Sequence, residues 1–486
     1  MMPGRKYKLI LLSFLIILNQ GCDWLELLPP DGLVVDEYWK SKEDVEATLL
    51  GAYQQFAEMD EKLFLYGELR GDMIRAIQAP NYQQLIKNSN IFSNNQLCDW
   101  EDFYKIINYC NSIIKLAPSV LEVDQTFTEL QMTIFTSEAI FLRSLAYFYL
   151  VRIFKDVPYI TEPTIDDNVD FFIEKAESEE ILSFLIEDLN SIKNTTPPAY
   201  SSPLKSRARA TKAAVNALLA DISLWNFEYE QCISYIDEIE DSKLYFLMST
   251  STWFEIFLPG NSLEGIFELQ FDGSGENNSM FDYTYNFNYY SASDHAIQLM
   301  DPEISGEQIR GPGSISGENL NFRIWKYAGA AADQTTTRSS ALQEACNFIV
   351  YRYSDIQLMK AEALSQLGQF EEAEAIINEI RGRALLDPVN ISSSPEAFED
   401  FILNERAKEL AFEGKRWYDL LRMGRRNNFS RKNDLIEIII QDAPSTQKLV
   451  LASKLSNPLG WYLPIYESEL ERNLNLTQNP FYDNDL

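Results

Sequence analysis

The chain has 486 residues, of which 46% are hydrophobic and 13% aromatic, so it can bury an extensive core. Its formal charge of -32 repels nucleic acid and anionic membrane surfaces, which excludes both as partners that bind through charge.

The N-terminal residues have the pattern of an export signal. Three basic residues precede an apolar run, Leu9–Leu18, that is shorter than the roughly 20 residues needed to cross a bilayer. A glycine followed by Cys22 resembles a bacterial lipobox, although Asn19 stands where leucine is usual. We therefore predict a signal peptide at 1–21, with Cys22 as the lipid anchor of a tether at 22–43. A simple secretory signal with an incidental cysteine is the alternative.

The other cysteines and the single histidine argue against a metal or cofactor site. Four cysteines remain without a CxxC pair or a close cluster, which disfavours a disulfide framework and a zinc site: Cys98, Cys110, Cys232 and Cys346. His295 is the sole histidine, so it cannot build a multi-histidine metal site. We expect no cofactor and no metal.

Amphipathic helices are predicted along most of the chain. Between Asp44 and Phe56, apolar residues recur at helical spacing. Longer patterns of the same kind end before Pro158 and before Pro197, because proline cannot continue a helix. The patterns come in pairs, so we expect helical hairpins.

An internal repeat supports these hairpins. Small and apolar positions in Ala220–Ile239 recur in Ala361–Ile380 at one offset, since 361 minus 220 and 380 minus 239 both give 141. The order of small, aromatic and apolar positions resembles the tetratricopeptide repeat. Gly368 stands where such repeats usually have glycine, and Phe227 replaces it in the first copy. Two unrelated amphipathic helices are the alternative.

The composition changes between residues 260 and 348. Glycine, asparagine, serine and tyrosine dominate there, helical periodicity disappears, and GIFELQF has the pattern of a strand. A long irregular stretch inside a compact protein is usually functional. We therefore divide the chain after the tether into a helical scaffold at 44–259, a loop-rich ligand-binding region at 260–348 and a C-terminal part at 349–486.

Six segments carry a resemblance to a known family. They occur in family order and span nearly all of the mature chain, and they are similar to the SusD/RagB family: DEYWKSKEDVEATLLGAY, LYGELRGDM, EAIFLRSLAYFYLVRIFKDVPYI, YSDIQLMKAEALSQLGQFEEAEAIINEIRGRA, ERAKELAFEGKRWYDLLRMGR and LPIYESELERNLNLTQNPFY. The loop-rich region carries almost no family signature, and this is where members differ in ligand.

The resemblance implies a mainly α fold of four tetratricopeptide-like helical hairpins, with long loops on one side. It also implies a lipoprotein of the bacterial cell surface, anchored in the outer membrane, that binds a ligand without catalysis. Such proteins act as a lid on a SusC-like TonB-dependent transporter and help to load oligosaccharides, or peptides in some members, into it. We expect oligosaccharide capture, with RagB-like peptide capture as the alternative.

A run of acids invites a catalytic interpretation, because paired carboxylates perform glycoside hydrolysis. Basic residues interleave with these acids on a helix predicted at about Ala397–Met423: Glu405, Glu409, Glu413 and Asp419. Near neighbours of opposite sign favour a salt-bridged structural helix. A hydrolase would need two acids outside this helix, and the loop candidates are Asp272, Asp282 and Asp294.

Sugar recognition needs flat apolar faces for the CH side of the ring and planar polar groups for its hydroxyls. Two stretches offer this mixture. The first follows the LYGELRGDM motif and supplies Asp72, Arg75, Asn81 and Tyr82. The second is the tyrosine-rich loop, which supplies Tyr283, Tyr285, Tyr289 and Tyr290, with Trp325 farther along. We predict these nine residues as the ligand-binding residues.

The rings at positions 281, 283, 285, 287 and 289 alternate with polar residues. This period predicts a strand that places all five rings on one face. That face either binds the ligand or packs against the helices, and both possibilities stay open. Trp100 has Tyr104 four residues later on a predicted helix, which favours packing in the core.

Overall fold

The structure, a computed structural model, describes residues 38–165, 171–271, 278–318, 321–340, 342–343, 345–391 and 394–483. The predicted signal peptide, the predicted lipid anchor Cys22 and the tether up to residue 37 lie outside these residues. Asp272 lies outside them as well, so its assignment stays a prediction.

Helices form most of the chain before the loop-rich region. They are α1 (Lys42–Ala57), α2 (Asp60–Glu68), α3 (Asn81–Lys87), α4 (Glu101–Val123), α5 (Glu129–Phe154), α6 (Ser178–Ile192), α7 (Pro203–Ala208), α8 (Lys212–Trp225) and α9 (Tyr229–Asp241). The side chains of Ser41 and Thr128 accept a hydrogen bond from the third residue of α1 and α5. Each cap satisfies a backbone donor that has no partner within its helix.

The rest of the chain contains short helices in the loop-rich region and longer ones after it. They are α10 (Asp294–Met300), α11 (Pro302–Ser305), α12 (Arg310–Ser314), α13 (Tyr353–Gln366), α14 (Phe370–Arg383), α15 (Pro395–Glu409), α16 (Arg416–Phe429), α17 (Lys432–Gln441), α18 (Lys448–Leu455) and α19 (Glu467–Arg472). The prediction of a mainly α fold is confirmed.

The strands are short and pair as two-stranded antiparallel sheets within the described residues. The pairs are β1 (Ile74–Ala76) with β5 (Tyr290–Ala292), β2 (Val157–Pro158) with β3 (Lys175–Ala176), β4 (Gly265–Leu269) with β8 (Phe348–Arg352), and β6 (Ile315–Glu318) with β7 (Asn321–Ile324).

Helix α5 lies at the centre of the core. Every residue from Phe141 to Phe154 is buried. By length and composition α5 is the one helix of the described residues that could cross a membrane. However, 83% of its apolar 18-residue stretch is buried inside the protein. We therefore interpret α5 as a core helix.

The predicted repeat is confirmed as two helical hairpins. Helices α8 and α9 correspond to α13 and α14 at the predicted offset, since 353 minus 212 and 370 minus 229 both give 141. The small residues Ala220 and Ala361 are both fully buried. The turn residues Phe227 and Gly368 have φ angles of 63° and 77°, a region that glycine adopts without strain. The first copy therefore keeps the turn of the repeat without its glycine.

The loop-rich region leaves and rejoins the scaffold at one place. Strand β4 confirms the strand predicted in GIFELQF, and it pairs with β8 so that Gly265 lies opposite Arg352 and Leu269 opposite Phe348. This sheet closes the region at its base. The described residues between β4 and β8 thus form an excursion from the helical scaffold.

The charged helix predicted at about Ala397–Met423 is two helices, so this prediction is wrong. The chain turns between α15 and α16 at Phe412 and Gly414, whose φ angles are 65° and 72°. Positive φ angles cannot continue an α-helix, and the turn brings Gly414 against α2.

The acids of this segment are buried in ion pairs, but most of their partners come from other elements. The pairs include Glu405 with Arg310 at 2.7 Å, Glu409 with Arg352 at 2.7 Å, Glu413 with Lys326 at 2.8 Å and Asp419 with Arg406 at 2.9 Å. Only the last of these joins two residues of the segment itself. The network therefore ties the loop-rich region and β8 to the scaffold.

Helix α2 meets the C-terminal part of the chain at a close backbone contact. A Cβ atom added at Gly67 would lie 1.8 Å from the carbonyl oxygen of Gly414, so only glycine fits there. The carboxylate of Glu68 accepts a hydrogen bond from the Gly414 N–H at 2.9 Å. Farther on, Arg70 donates to the carbonyl oxygen of Trp461 at 2.6 Å. These contacts fix the chain just before β1.

Candidate functional site

The sheet of β1 and β5 brings the two predicted ligand-binding stretches together. Arg75 lies opposite Ser291, and Ala76 lies opposite Tyr290. The backbone N–H of Ile77 continues the ladder by donating to the carbonyl oxygen of Tyr289 at 2.9 Å. Residues that are far apart in the sequence therefore form one surface.

The tyrosine-rich loop is not the predicted strand. Asp282–Asn286 forms a turn of π-helix, and the rings pair at helical spacing. The ring centroids of Phe281 and Tyr285 are 5.4 Å apart, and those of Tyr283 and Phe287 are 6.4 Å apart. Polar side chains between the rings bond to groups four residues earlier, which favours a helical turn over extended backbone. The prediction of five rings on one face is therefore wrong.

Four rings form a partly exposed surface that we call the aromatic platform, defined as Tyr82, Tyr283, Phe287 and Tyr289. The rings of Tyr283 and Tyr289 are stacked, with centroids 5.5 Å apart and planes at 21°. Phe287 lies 5.3 Å from Tyr289 and is 47% exposed. Such a surface offers flat apolar faces with phenolic hydroxyls at their edges.

Glu61, in the first turn of α2, lies at the hydroxyl ends of the platform tyrosines. Its carboxylate accepts hydrogen bonds from Gln83 Nε2 at 2.9 Å and from the Tyr283 hydroxyl. Gln83 Nε2 also donates to the Tyr82 hydroxyl oxygen at 3.0 Å, and Gln83 Oε1 accepts from the Tyr290 hydroxyl. Burial raises the pKa of Glu61, and burial together with the Glu61 charge raises the pKa of Tyr283. This network fixes the orientation of the rings.

Three predicted residues on the first stretch have different surroundings. The carboxylate of Asp72 is buried and pairs with the Arg416 guanidinium through contacts of 2.6 and 2.8 Å. Burial alone would raise the pKa of Asp72, but Arg416 outweighs it and holds that pKa below its usual value. Arg75 pairs with Asp294 at 2.5 Å on the surface, and Asn81 is exposed at the start of α3.

Tyr285 and Trp325 lie on the other side of the π-helical turn. The Arg323 guanidinium stacks over Tyr285 at 4.5 Å. Trp325 packs in a small cluster with Phe281, is only 4% exposed, and donates from Nε1 to the carbonyl oxygen of Ala331 at 2.7 Å.

The structure thus places three of the nine predicted residues, Tyr82, Tyr283 and Tyr289, on the platform. Arg75 and Asn81 belong to the adjoining β1 and α3, whereas four lie buried or on another side: Asp72, Tyr285, Tyr290 and Trp325. Whether each residue contacts a ligand stays a prediction. Sequence reasoning missed Glu61, because nothing in its local pattern points to the loop near residue 283.

Two cavities lined by loops were also missed. One cavity, of about 1110 Å³, lies between α11 and the β6–β7 hairpin. It is lined in part by Asp301 and Phe322. Another of about 600 Å³ is lined in part by Arg207 and Tyr245. Their walls come from short helices, a short hairpin and loops, so no long periodic pattern marks them.

One group of three carboxylates in the described residues could approach a metal ion: Asp156, Glu177 and Glu179. Lys155 Nζ lies 2.8 Å from Asp156 and 3.7 Å from Glu177. The lysine already supplies a counter-charge, so the group is accounted for as a surface ion-pair cluster.

Two family models match the chain. The model described as "Starch-binding associating with outer membrane" matches residues 23–224, and the model described as "SusD family" matches residues 311–482. Together the two matches cover well over half of the chain.

Curated relatives and solved structures agree with these models. A SusD-like protein of Formosa agariphila is 27% identical over 477 residues, which cover 86% of this chain and 92% of the relative. A SusD superfamily protein from Bacteroides vulgatus has a TM-score of 0.76 at 19% identity and covers 91% of this chain and 100% of its own. A "laminarin binding SusD-like protein" has a TM-score of 0.72 at 21% identity over 91% of this chain and 99% of its own. With two matching family models that together cover most of its length, the chain belongs to the SusD family.

Proposed function

We propose that this protein is a lipid-anchored glycan-binding protein of the bacterial cell surface that captures an oligosaccharide on the aromatic platform without catalysis. It then delivers the oligosaccharide to a SusC-like TonB-dependent transporter in the outer membrane. The observation that carries the proposal is the platform, whose stacked rings, Tyr283 and Tyr289, are partly exposed in the loop-rich region.

The platform has the chemistry that an oligosaccharide needs. Tyr283, Phe287 and Tyr289 offer apolar faces to the CH side of sugar rings, and tyrosine hydroxyls can bond to sugar hydroxyls. Covering about 50 Å² of one ring supplies about 1.3 kcal/mol, or about tenfold in affinity. Three such contacts supply about 4 kcal/mol, which corresponds to a Kd of about 1 mM, and hydrogen bonds to the sugar hydroxyls add to it. Weak binding of this kind suits capture followed by release.

The family comparisons support the place and the kind of ligand. One matching model is described by association with the outer membrane, and one solved relative is described as binding laminarin, a glycan. The predicted signal peptide and Cys22 would supply the lipid anchor. One anchor suffices when the cysteine carries more than one acyl chain.

Within the described residues, two of the three loop acids suited to hydrolysis, Asp282 and Asp294, are engaged in other contacts. A glycosidase needs two carboxyl groups that face the scissile bond. Asp294 pairs with Arg75, and Asp282 accepts a hydrogen bond from Asn286 Nδ2 at 2.6 Å. The acids of the charged segment are buried in ion pairs, so we propose binding alone.

Glycan and peptide arrays followed by calorimetry on the mature protein test this proposal. Tyr283→Ala and Tyr289→Ala should each weaken binding of the array's strongest glycan about tenfold. Tyr109→Ala is the matched control, because Tyr109 is 40% exposed on α4. Unchanged affinity in both platform variants would refute the site, and binding of peptides in place of glycans would favour RagB-like capture.

The transporter is tested separately by gentle detergent extraction of cells that carry a tagged protein. A large TonB-dependent barrel should co-purify with the full chain. Its absence from extracts in which the protein remains lipid-anchored would count against delivery to such a transporter.

A further inference from the structure

We infer that the oligosaccharide taken by the aromatic platform is uncharged, and that Glu61 is the residue that excludes glycans bearing carboxylate or sulfate groups. This inference rests on the proposed function, because it requires a glycan on the platform.

Acidic groups lie at the polar edge of the platform. Glu61 is partly exposed, and its carboxylate bonds directly to the Tyr283 hydroxyl and, through Gln83, is linked to the Tyr82 hydroxyl. Asp282 is partly exposed on the π-helical turn itself. A sugar stacked on Tyr283 therefore places its substituents close to the Glu61 carboxylate.

Four basic residues on the elements around the platform are engaged elsewhere. Lys62 follows Glu61 in the sequence, but its Nζ lies 2.6 Å from Asp102. Lys87 Nζ donates to the carbonyl oxygen of Gly71 at 2.6 Å. The guanidinium of Arg75 pairs with Asp294, and that of Arg323 stacks on Tyr285 across the turn. Within the described residues, Glu61 forms no ion pair with any of these four side chains.

Lys62 offsets part of the Glu61 charge but forms no ion pair with it, so the carboxylate still discriminates between glycans by charge. A like charge about 6 Å away, at an effective dielectric constant of about 40, weakens binding about tenfold. A neutral sugar avoids this penalty, and its hydroxyls can donate to the carboxylate in a charge-assisted hydrogen bond. The specificity therefore favours neutral hexose units over uronate or sulfated units.

Paired ligands that differ only in charge test the inference. The probes are the strongest neutral glycan on the array and the same glycan after oxidation of its primary alcohols to carboxylates. The wild-type protein should bind the neutral form at least about tenfold more tightly. Raising the salt concentration to about 1 M should narrow this gap, because the Debye length falls to about 3 Å.

Variants assign the effect to Glu61. In Glu61→Gln the ratio of the affinities for the neutral and the oxidised glycan should fall several-fold. Glu43→Gln should leave this ratio unchanged, because the Glu43 side chain is 68% exposed on α1. If Glu61→Gln does not fold, Glu61→Ala replaces it, because salt dependence alone does not separate Glu61 from the net charge of -32. If the difference in affinity between the two glycans does not change with salt, it reflects the size of the added carboxylate and overturns the role of Glu61.

The inference and the proposed function fail in different ways. Equal or tighter binding of the oxidised glycan, still weakened about tenfold by Tyr289→Ala, overturns the inference and keeps the glycan-binding function. The proposed function is overturned, and the inference with it, if no glycan binds. The same holds if glycan affinity is unchanged in both Tyr283→Ala and Tyr289→Ala.

Discussion

The buried pair of Asp72 and Arg416 allows structural and ligand-binding roles to be separated by one substitution. Asp72→Asn keeps the shape of the side chain but removes the charge that faces Arg416, and both side chains are at most 4% exposed. Removing one partner of a buried pair costs about 3–5 kcal/mol. At about 2.1 cal/mol/K per residue, a chain of this length has an unfolding entropy near 1 kcal/mol/K, so Tm should fall by about 3–5 °C.

The effect of Asp72→Asn should also depend on pH. The pKa of Asp72 is lowered in the folded protein, so its stabilising contribution is present above the unfolded value of about 3.9. That contribution is lost as the pH falls through the folded pKa. The difference in Tm between the wild type and the variant should therefore shrink below about pH 4.

Thermal unfolding and glycan calorimetry on the same samples make the test. Asp294→Asn is the matched control, because its pair with Arg75 is exposed and is worth at most about 1 kcal/mol. At 25 °C, Asp72→Asn should keep its glycan affinity, since its carboxylate faces Arg416 and not the platform. A variant that melts like the wild type but binds about tenfold more weakly would refute this reasoning and make Asp72 a ligand contact.

Three further substitutions test other contacts. Gly67→Ala should destabilise the protein by about 1–3 kcal/mol in urea unfolding, because its Cβ would overlap Gly414; Gly51→Ala, with nothing within 4 Å, should not. Burial raises the pKa of Asp60 to about 7, so wild-type stability should fall as the pH rises from about 4 through 7. In Asp60→Asn, stability should change less with pH over this range. A slope of Tm against pH equal to that of the wild type would contradict the prediction. Trp325→Ala should cost about 3–5 kcal/mol through the cavity it leaves, yet weaken glycan binding less than Tyr289→Ala; a larger loss would place Trp325 at the ligand.

Local periodicity accounts for the parts of the fold that the sequence predicts well. Buried residues such as Ala220 and Ala361 recur on one helix face, so the hairpins and their offset are visible in the sequence. The break at Phe412 and Gly414 is not visible in this way. It depends on positive φ angles and on a contact with Gly67, which only the folded chain brings near.

The aromatic platform shows that the spacing of side chains in a short segment does not determine its backbone conformation. Rings at every second position also include pairs four residues apart, so the series from Phe281 to Tyr289 fits a strand and a helical turn equally well. The sequence therefore predicts Tyr283 and Tyr289 as ligand-binding residues, which stays a prediction, and assigns their rings to the wrong backbone conformation. Glu61 could not be identified, because its link to the platform depends on tertiary packing.

The contact between α2 and Gly414 sets an order on folding. Glu68 and Gly414 are 346 residues apart in the sequence, and Arg70 and Trp461 are 391 apart. The first helices therefore cannot complete their contacts until nearly the whole chain has been synthesised, and such distant contacts form slowly. For a chain with the predicted signal peptide, this order would leave the contacts of the first helices incomplete while the chain is exported.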